Sequence, residues 1–400
     1  MPQPSTLSPS VSLLPSRFEF LDLLRGVAVL MMIEGHAMRA LLDGEIRATL
    51  AYDFHELFHG LPAPLFLFAA GAAFAFTIRP ASPQPSTFLP ASRKKSWRRF
   101  LRLLNVLLIA YGLQTSYFSL LHTVRNSTPQ QVSILLSFNV LQCIVASVLA
   151  LQLVARFAKS GHATSRAALI RACVWLTVAI GAATPLVWAG ADRLPLWLAT
   201  MLSRQHGSFF PMFPYTAFTL AGAAWGAGFL NARERADESG FLHRTILYGG
   251  MTVVISTLVA GLPWPELYSD FWWSSPSYLF LRIGLLALLC AYARRAELAV
   301  ERGTRPGLKL LALLGRQSFY IYVGHLLVLY GSSYNPNWNM LRKLGVNLPL
   351  GESAAATALL AAAMVATAIL WDWAKRIHPW RASAVKWTLA GYLLIKFIVP

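Results

Sequence analysis

Apolar residues run in blocks of about twenty from residue 20 to the C-terminal end, punctuated by short segments rich in Pro, Gly, Ser and basic residues. At about 1.5 Å of rise per residue, each block as a helix covers a hydrocarbon core of about 30 Å. The pattern predicts about eleven membrane-spanning helices, at 20–42, 61–79, 99–121, 132–156, 168–190, 209–231, 244–262, 276–296, 308–331, 353–373 and 383–399. The expected fold is therefore all-α, a polytopic membrane helical bundle forming one transmembrane domain over 20–400. Residues 1–19 are expected to be a flexible cytoplasmic tail. Its stretch "MPQPSTLSPSVSLLPS" has neither an early basic residue nor the continuous apolar segment of a signal peptide.

Composition agrees with the pattern. Of 400 residues 56% are hydrophobic and 13% charged, and mean hydropathy is +0.50, above the range of soluble domains. The net charge of +18 changes meaning once its distribution is read. Arg79, Arg93, Lys94, Lys95, Arg98 and Arg99 lie between the second and third blocks, whereas the flanking loops hold only Arg47 and only Arg125. Later even-numbered loops repeat the surplus, and "LPWPELYSDFWWSSP" on the other side has no Lys or Arg. By the positive-inside rule the N-terminus is cytoplasmic and the C-terminus outside. The cations are then topology and contact with anionic membrane lipids, and no nucleic-acid partner is expected.

Against this background the ionisable residues inside blocks stand out, because each costs about 2.5 to 3.5 kcal/mol at mid-membrane. "FLDLLRGVAVLMMIEGHAMRALL" carries Asp22, Arg25, Glu34 and His36. Eleven residues at 100° bring Arg25 and His36 within about 20° of one face, about 16 Å apart along the axis. Asp22 sits one turn before Arg25 and can pair with it; Glu34 lies off this stripe with no partner evident. The bland alternative is a structural ion pair and a hydrogen-bonded histidine. Ser318, Tyr322 and His325 form a second polar ridge at i, i+4 and i+7. The loop motif "HELFHG" places His55 and His59 at the outer mouth of the second block, so that with His36, His206 and His325 five of the nine histidines gather on one side. Cys143, Cys173 and Cys290 lack metal-ligand spacing and read as core residues; no metal is expected.

Several of these stretches resemble a known family. "RFEFLDLLRGVAVLMMIEGH" is similar to the opening helix of the transmembrane acyltransferase superfamily, and "HELFHGLPAPLFLFAAGAAFAF" resembles the segment of the heparan-alpha-glucosaminide N-acetyltransferase family that carries its catalytic histidine. "FFPMFPYTAFTLAGAAWG" and "SFYIYVGH" are similar to later segments. His36 stands where the animal enzyme has asparagine and agrees with the O-acyltransferase branch. The resemblance implies transfer of an acyl group, acetyl in the first instance, from cytosolic acyl-CoA to an amino sugar or glycan beyond the membrane, in the cytoplasmic membrane of a bacterium. It implies catalytic roles for His55 as general base and His36 at the thioester or its oxyanion. Asp22, Arg25, Arg79, Arg98 and Arg99 would hold acetyl-CoA, and His59, Ser318, Tyr322 and His325 would orient the acceptor. An imidazole is suited to the base role because it titrates near neutral pH.

Two rival readings accompany this one. An O-acyltransferase of periplasmic glycan or lipid-linked sugar would use similar residues. A secondary transporter or flippase would use the buried ionisable groups as a pathway, but the chain shows no internal repeat of the kind transporters carry. A second copy of the chain is a candidate partner.

Overall fold

The computed structural model describes residues 18–78, 89–160, 163–262, 271–300 and 306–399. Thirteen principal helices carry the architecture: α1 (Glu19–Leu41), α2 (Leu50–His59), α3 (Pro62–Ala75), α4 (Leu89–Gln114), α5 (Val140–Phe157), α6 (Arg166–Ala189), α7 (Met212–Glu234), α8 (Glu238–Ala260), α9 (Pro276–Val300), α10 (Pro306–Arg316), α11 (Ser318–Leu329), α12 (Leu350–Ile377) and α13 (Pro379–Ile398). The rest is short helical turns and connecting segments, with one two-residue antiparallel ladder pairing Lys159–Ser160 with Ala163–Thr164.

The helix that carries Asp22, Arg25, Glu34 and His36 is also the central one. α1 packs against α3, α9, α10, α11 and α12, and Phe20, Ala28, Val29, Ile33, Ala37 and Leu41 on it are fully buried. Small residues permit the closest crossings, as expected where packing rather than water exclusion holds helices together. A Cβ on Gly26 would strike the Leu311 carbonyl, and one on Gly315 would strike the Asp22 carbonyl, so α1 and α10 cross backbone to backbone. Gly315→Val should therefore lower the melting temperature in detergent, by about 1 to 3 kcal/mol of stability. Gly112→Val is the control, since nothing lies within 4 Å of a Cβ there; equal effects at the two sites would refute the crossing. α3 and α7 meet in the same way at Gly71 and Gly222.

At one end of α1 an aromatic cluster of Phe18, Phe20, Phe76, Trp225 and Phe229 closes the bundle, with Trp225 and Phe229 stacked 5.4 Å apart. Beside it Arg294 pairs with Glu238 at 2.6 Å and with Glu297, and the Glu19 backbone N–H donates to Glu297 Oε1 at 2.7 Å. Phe18 and Glu19 thus belong to the folded body; residues 1–17 of the expected tail lie outside the described residues.

Each of the eleven expected spans overlaps a helix, but among the described residues six helical stretches are long and apolar enough to cross a membrane: Leu50–Ala75, read through the turn at Gly60, Val140–Phe157, Arg166–Ala189, Glu238–Ala260, Pro276–Ala299 and Leu350–Ile377. Three expected spans are broken, that at 99–121 between Gln114 and Leu120. The block at 132–156 parts at Ser137–Asn139, where the Phe138 N–H donates to Ser208 Oγ and its carbonyl accepts from Phe210 N–H. These bonds take backbone groups that a continuous helix would use. The block at 308–331 parts at Gln317, whose side chain donates to Asp372 Oδ1 at 2.8 Å and accepts from Lys375 Nζ at 2.7 Å. The three cysteines are free and buried, as expected of core residues.

Candidate active site

"HELFHG" is helical rather than a loop. Thr49 caps α2 by accepting from the Tyr52 N–H, and the i, i+4 spacing puts His55 and His59 on one face, turned toward α1. Glu34 of α1 is their partner. Its Oε1 lies 2.8 Å from His55 Nε2, its Oε2 contacts His59 Nε2, and the two imidazoles meet Nε2 to Nε2 at 2.9 Å. Gly35 makes the approach possible, because a Cβ there would collide with the His59 ring.

Backbone carbonyls decide the tautomers, since a carbonyl only accepts. His59 Nδ1 lies 3.0 Å from the Met31 carbonyl and so carries a proton. In the neutral ring its Nε2 is an acceptor for His55; in the imidazolium it donates to Glu34. His55 can donate from Nε2 to Glu34, which leaves the lone pair on Nδ1. That nitrogen is buried and has no hydrogen-bond partner among the described residues, with the Tyr52 ring 5.3 Å from its own.

His36 and His325 form the second pair. His325, fully buried, donates from Nδ1 to the Ile321 carbonyl at 2.9 Å. Its Nε2 must then accept from His36 Nδ1, 2.9 Å away, and the rings stack at 5.2 Å. The neutral His36 therefore presents an Nε2 lone pair. It is set to take a proton or attack a carbonyl, and would support an oxyanion only after protonation. The Tyr330 hydroxyl donates to the His36 carbonyl at 3.2 Å, and the Tyr322 ring stands edge-on to His325 at 5.7 Å. Glu34 and His36 leave α1 about 200° apart, so the two pairs flank that helix.

The other expected site residues are placed less tightly. Asp22, 1% exposed, pairs with Arg25 at 3.5 Å, and Arg25 also donates to the Ala69 carbonyl at 3.2 Å. These contacts tie α1 to α3. Arg98 and Arg99 are exposed on α4, Arg79 lies outside the described residues, and Ser318 begins α11 half-buried. His206 stands apart from both pairs, 3.0 Å from Asp192. Sequence reasoning missed the role of Glu34, although its two-residue offset from His36 could have marked a second face. It also missed the Arg39–Glu56 ion pair joining α1 to α2.

One atom each from Glu34, His55 and His59 lies within 4.8 Å of the others, close enough to share a divalent cation. Histidines that bind metal ordinarily anchor the opposite ring nitrogen on an acceptor. His59 does so through Met31; His55 Nδ1 has no such partner. The trio fits proton handling better than metal ligation.

Residues 17–260 match the family described as Heparan-alpha-glucosaminide N-acetyltransferase, catalytic. The chain belongs to that family. The matched span includes Glu34, His36, His55 and His59, and ends before His325. No curated protein matches the chain. Family membership and six apolar helices make it a multi-pass membrane protein of acetyltransferase type. The family in general uses acetyl-CoA as donor.

Proposed function

We propose that the chain moves an acetyl group from cytosolic acetyl-CoA to an amino sugar or glycan on the outer side of a bacterial cytoplasmic membrane. In this reading the chain crosses eleven times, N-terminus inside and C-terminus outside, as the alternation of basic loops suggests. The observation that carries the chemistry is the Glu34–His55 bond of 2.8 Å, a carboxylate holding an imidazole as in acid–base triads. The acceptor nitrogen or oxygen attacks the thioester carbonyl and its proton passes to His55 Nδ1. The new C–N or C–O bond forms, the C–S bond breaks, and coenzyme A leaves as the thiol with a proton. Glu34 fixes the tautomer and stabilises the imidazolium that results.

Nδ1 is covered in the arrangement described. α2 has no buried residue, so it is the lightly held element whose movement would uncover that nitrogen. His36 Nε2 faces the thioester from the other flank of α1. Arg25, Arg79, Arg98 and Arg99 would meet the coenzyme A phosphates, for which guanidinium groups are suited. His59 and the Ser318, Tyr322, His325 ridge would orient the acceptor.

The test is transfer of radiolabelled acetyl from acetyl-CoA, added outside inside-out vesicles preloaded with glucosamine. Labelled N-acetylglucosamine in the lumen is expected. Label appearing only on periplasmic glycan supplied as acceptor would assign O-acylation, the outcome with which His36 in place of asparagine agrees. Transfer to neither would overturn the reading.

A further inference from the structure

Among the described residues three arginines are deeply buried, and two of them are neutralised. Arg166 pairs with Glu234 at 2.6 Å and Arg294 with Glu238 and Glu297. Arg282, seventh residue of α9 and 4% exposed, differs. Among the described residues it has no carboxylate within ion-pair distance; the Tyr215 hydroxyl lies beside it, and its Nη1 is buried without a partner. Its guanidinium lies 3.6 Å from the centroid of the Tyr278 ring. That contact with the π face offsets part of the cost of burying the charge, yet it leaves the in-plane donors of Nη1 unused.

The polar groups around Arg282 are also unfilled. The hydroxyl of Tyr215 adjoins the guanidinium, and among the described residues neither it nor the Tyr278 hydroxyl, both buried, has a hydrogen-bond partner of ordinary geometry. Tyr215 is 2% exposed and Tyr278 4%. Arg282 Nη2 rests against Gly60, where a Cβ would collide with it. Gly60 directly follows His59 at the end of α2, so the cation stands beside the histidine helix. A charge inside a membrane-spanning helix with no carboxylate partner among the described residues marks a functional site by default, and a planar fork of donors with two phenols matches an oxyanion.

We propose that Arg282, with the hydroxyls of Tyr215 and Tyr278, is the subsite for a carboxylate or phosphate carried by the acceptor, so that the acceptor is an acidic or phosphorylated sugar. The assignment of this oxyanion to the acceptor rests on the acyl-transfer reading; the oxyanion site itself does not. The other source of the same chemistry is a phosphate of coenzyme A.

Binding to the full chain in detergent separates these, because it is measured without turnover. The probes are glucuronate and glucosamine 6-phosphate, compared with glucose and glucosamine, and coenzyme A in a separate arm. The acidic sugars are expected to bind about tenfold or more tightly than their neutral counterparts, the range of charge-assisted hydrogen bonds. Arg282→Gln should erase the difference and Arg282→Lys keep part of it. Equal affinity for acidic and neutral sugars in the wild type would overturn the proposal, as would loss of coenzyme A binding rather than sugar binding in Arg282→Gln. Arg282→Met supplies a second measure. A melting temperature that holds or rises is expected on removing an unpaired buried charge, and a large fall would make Arg282 a structural cation and end the proposal.

Discussion

His55→Ala should lower acetyl transfer by about 10² to 10⁴-fold at saturating donor, the range that a positioned general base contributes. The arrangement on α1 and α2 says how the loss divides. Glu34 accepts from His55 Nε2 at 2.8 Å, and this bond keeps the lone pair on Nδ1. Glu34→Gln retains the size of the side chain but offers an amide that can either accept or donate. When it donates, His55 is driven into the opposite tautomer, with the proton on Nδ1 where the lone pair is needed. The expected fall for Glu34→Gln is about 10²-fold or more, in kcat rather than in the donor KM. The check is steady-state transfer at matched amounts of folded protein, judged by gel filtration and melting temperature. Undiminished transfer in His55→Ala would remove His55 from the chemistry and shift the base role to His36. A Glu34→Gln protein that has lost melting temperature without losing kcat would reduce the carboxylate to a packing role.

The motif "HELFHG" made His55 and His59 legible as candidates, though as a loop and not as one face of a helix, and the charge cost of "FLDLLRGVAVLMMIEGHAMRALL" made α1 legible as a polar helix. That α1 is central also follows from its burden of ionisable groups, since only the bundle interior can satisfy them. The partner of Glu34 was not legible, because it lies across a turn on another element 21 residues away, and no local period encodes such a contact. The pairing of His36 with His325 spans 289 residues; their shared side of the membrane was readable, their contact was not. Arg282 was within reach. An arginine inside "SYLFLRIGLLALL" has no acidic residue within a helical turn on either side, a pattern that asks for a distant counter-charge or a ligand. The broken span at Gln317 went unseen for the opposite reason, since hydropathy averages over a single polar residue whose partners Asp372 and Lys375 stand on another helix.

The second large effect is expected at the other histidine pair. His36→Ala should cut transfer by about 10²-fold or more if its Nε2 meets the thioester, and the His325 variants test how that nitrogen is kept unprotonated. His325 touches His36 and is itself held by the Ile321 carbonyl, so in the chemistry it acts through its neighbour. His325→Leu fills the buried space but removes the acceptor from His36 Nδ1, which lets the ring turn or exchange tautomers. His325→Gln can restore that acceptor through its amide oxygen. The predicted order of kcat is wild type, His325→Gln, His325→Leu, His36→Ala, with the Leu variant down by about 10 to 10²-fold. Rescue by Gln is the informative comparison, because a role confined to packing would favour the apolar Leu over the polar Gln in this fully buried position. If Leu retains more activity than Gln, His325 belongs to the core and the hydrogen-bonded orientation of His36 contributes nothing to turnover.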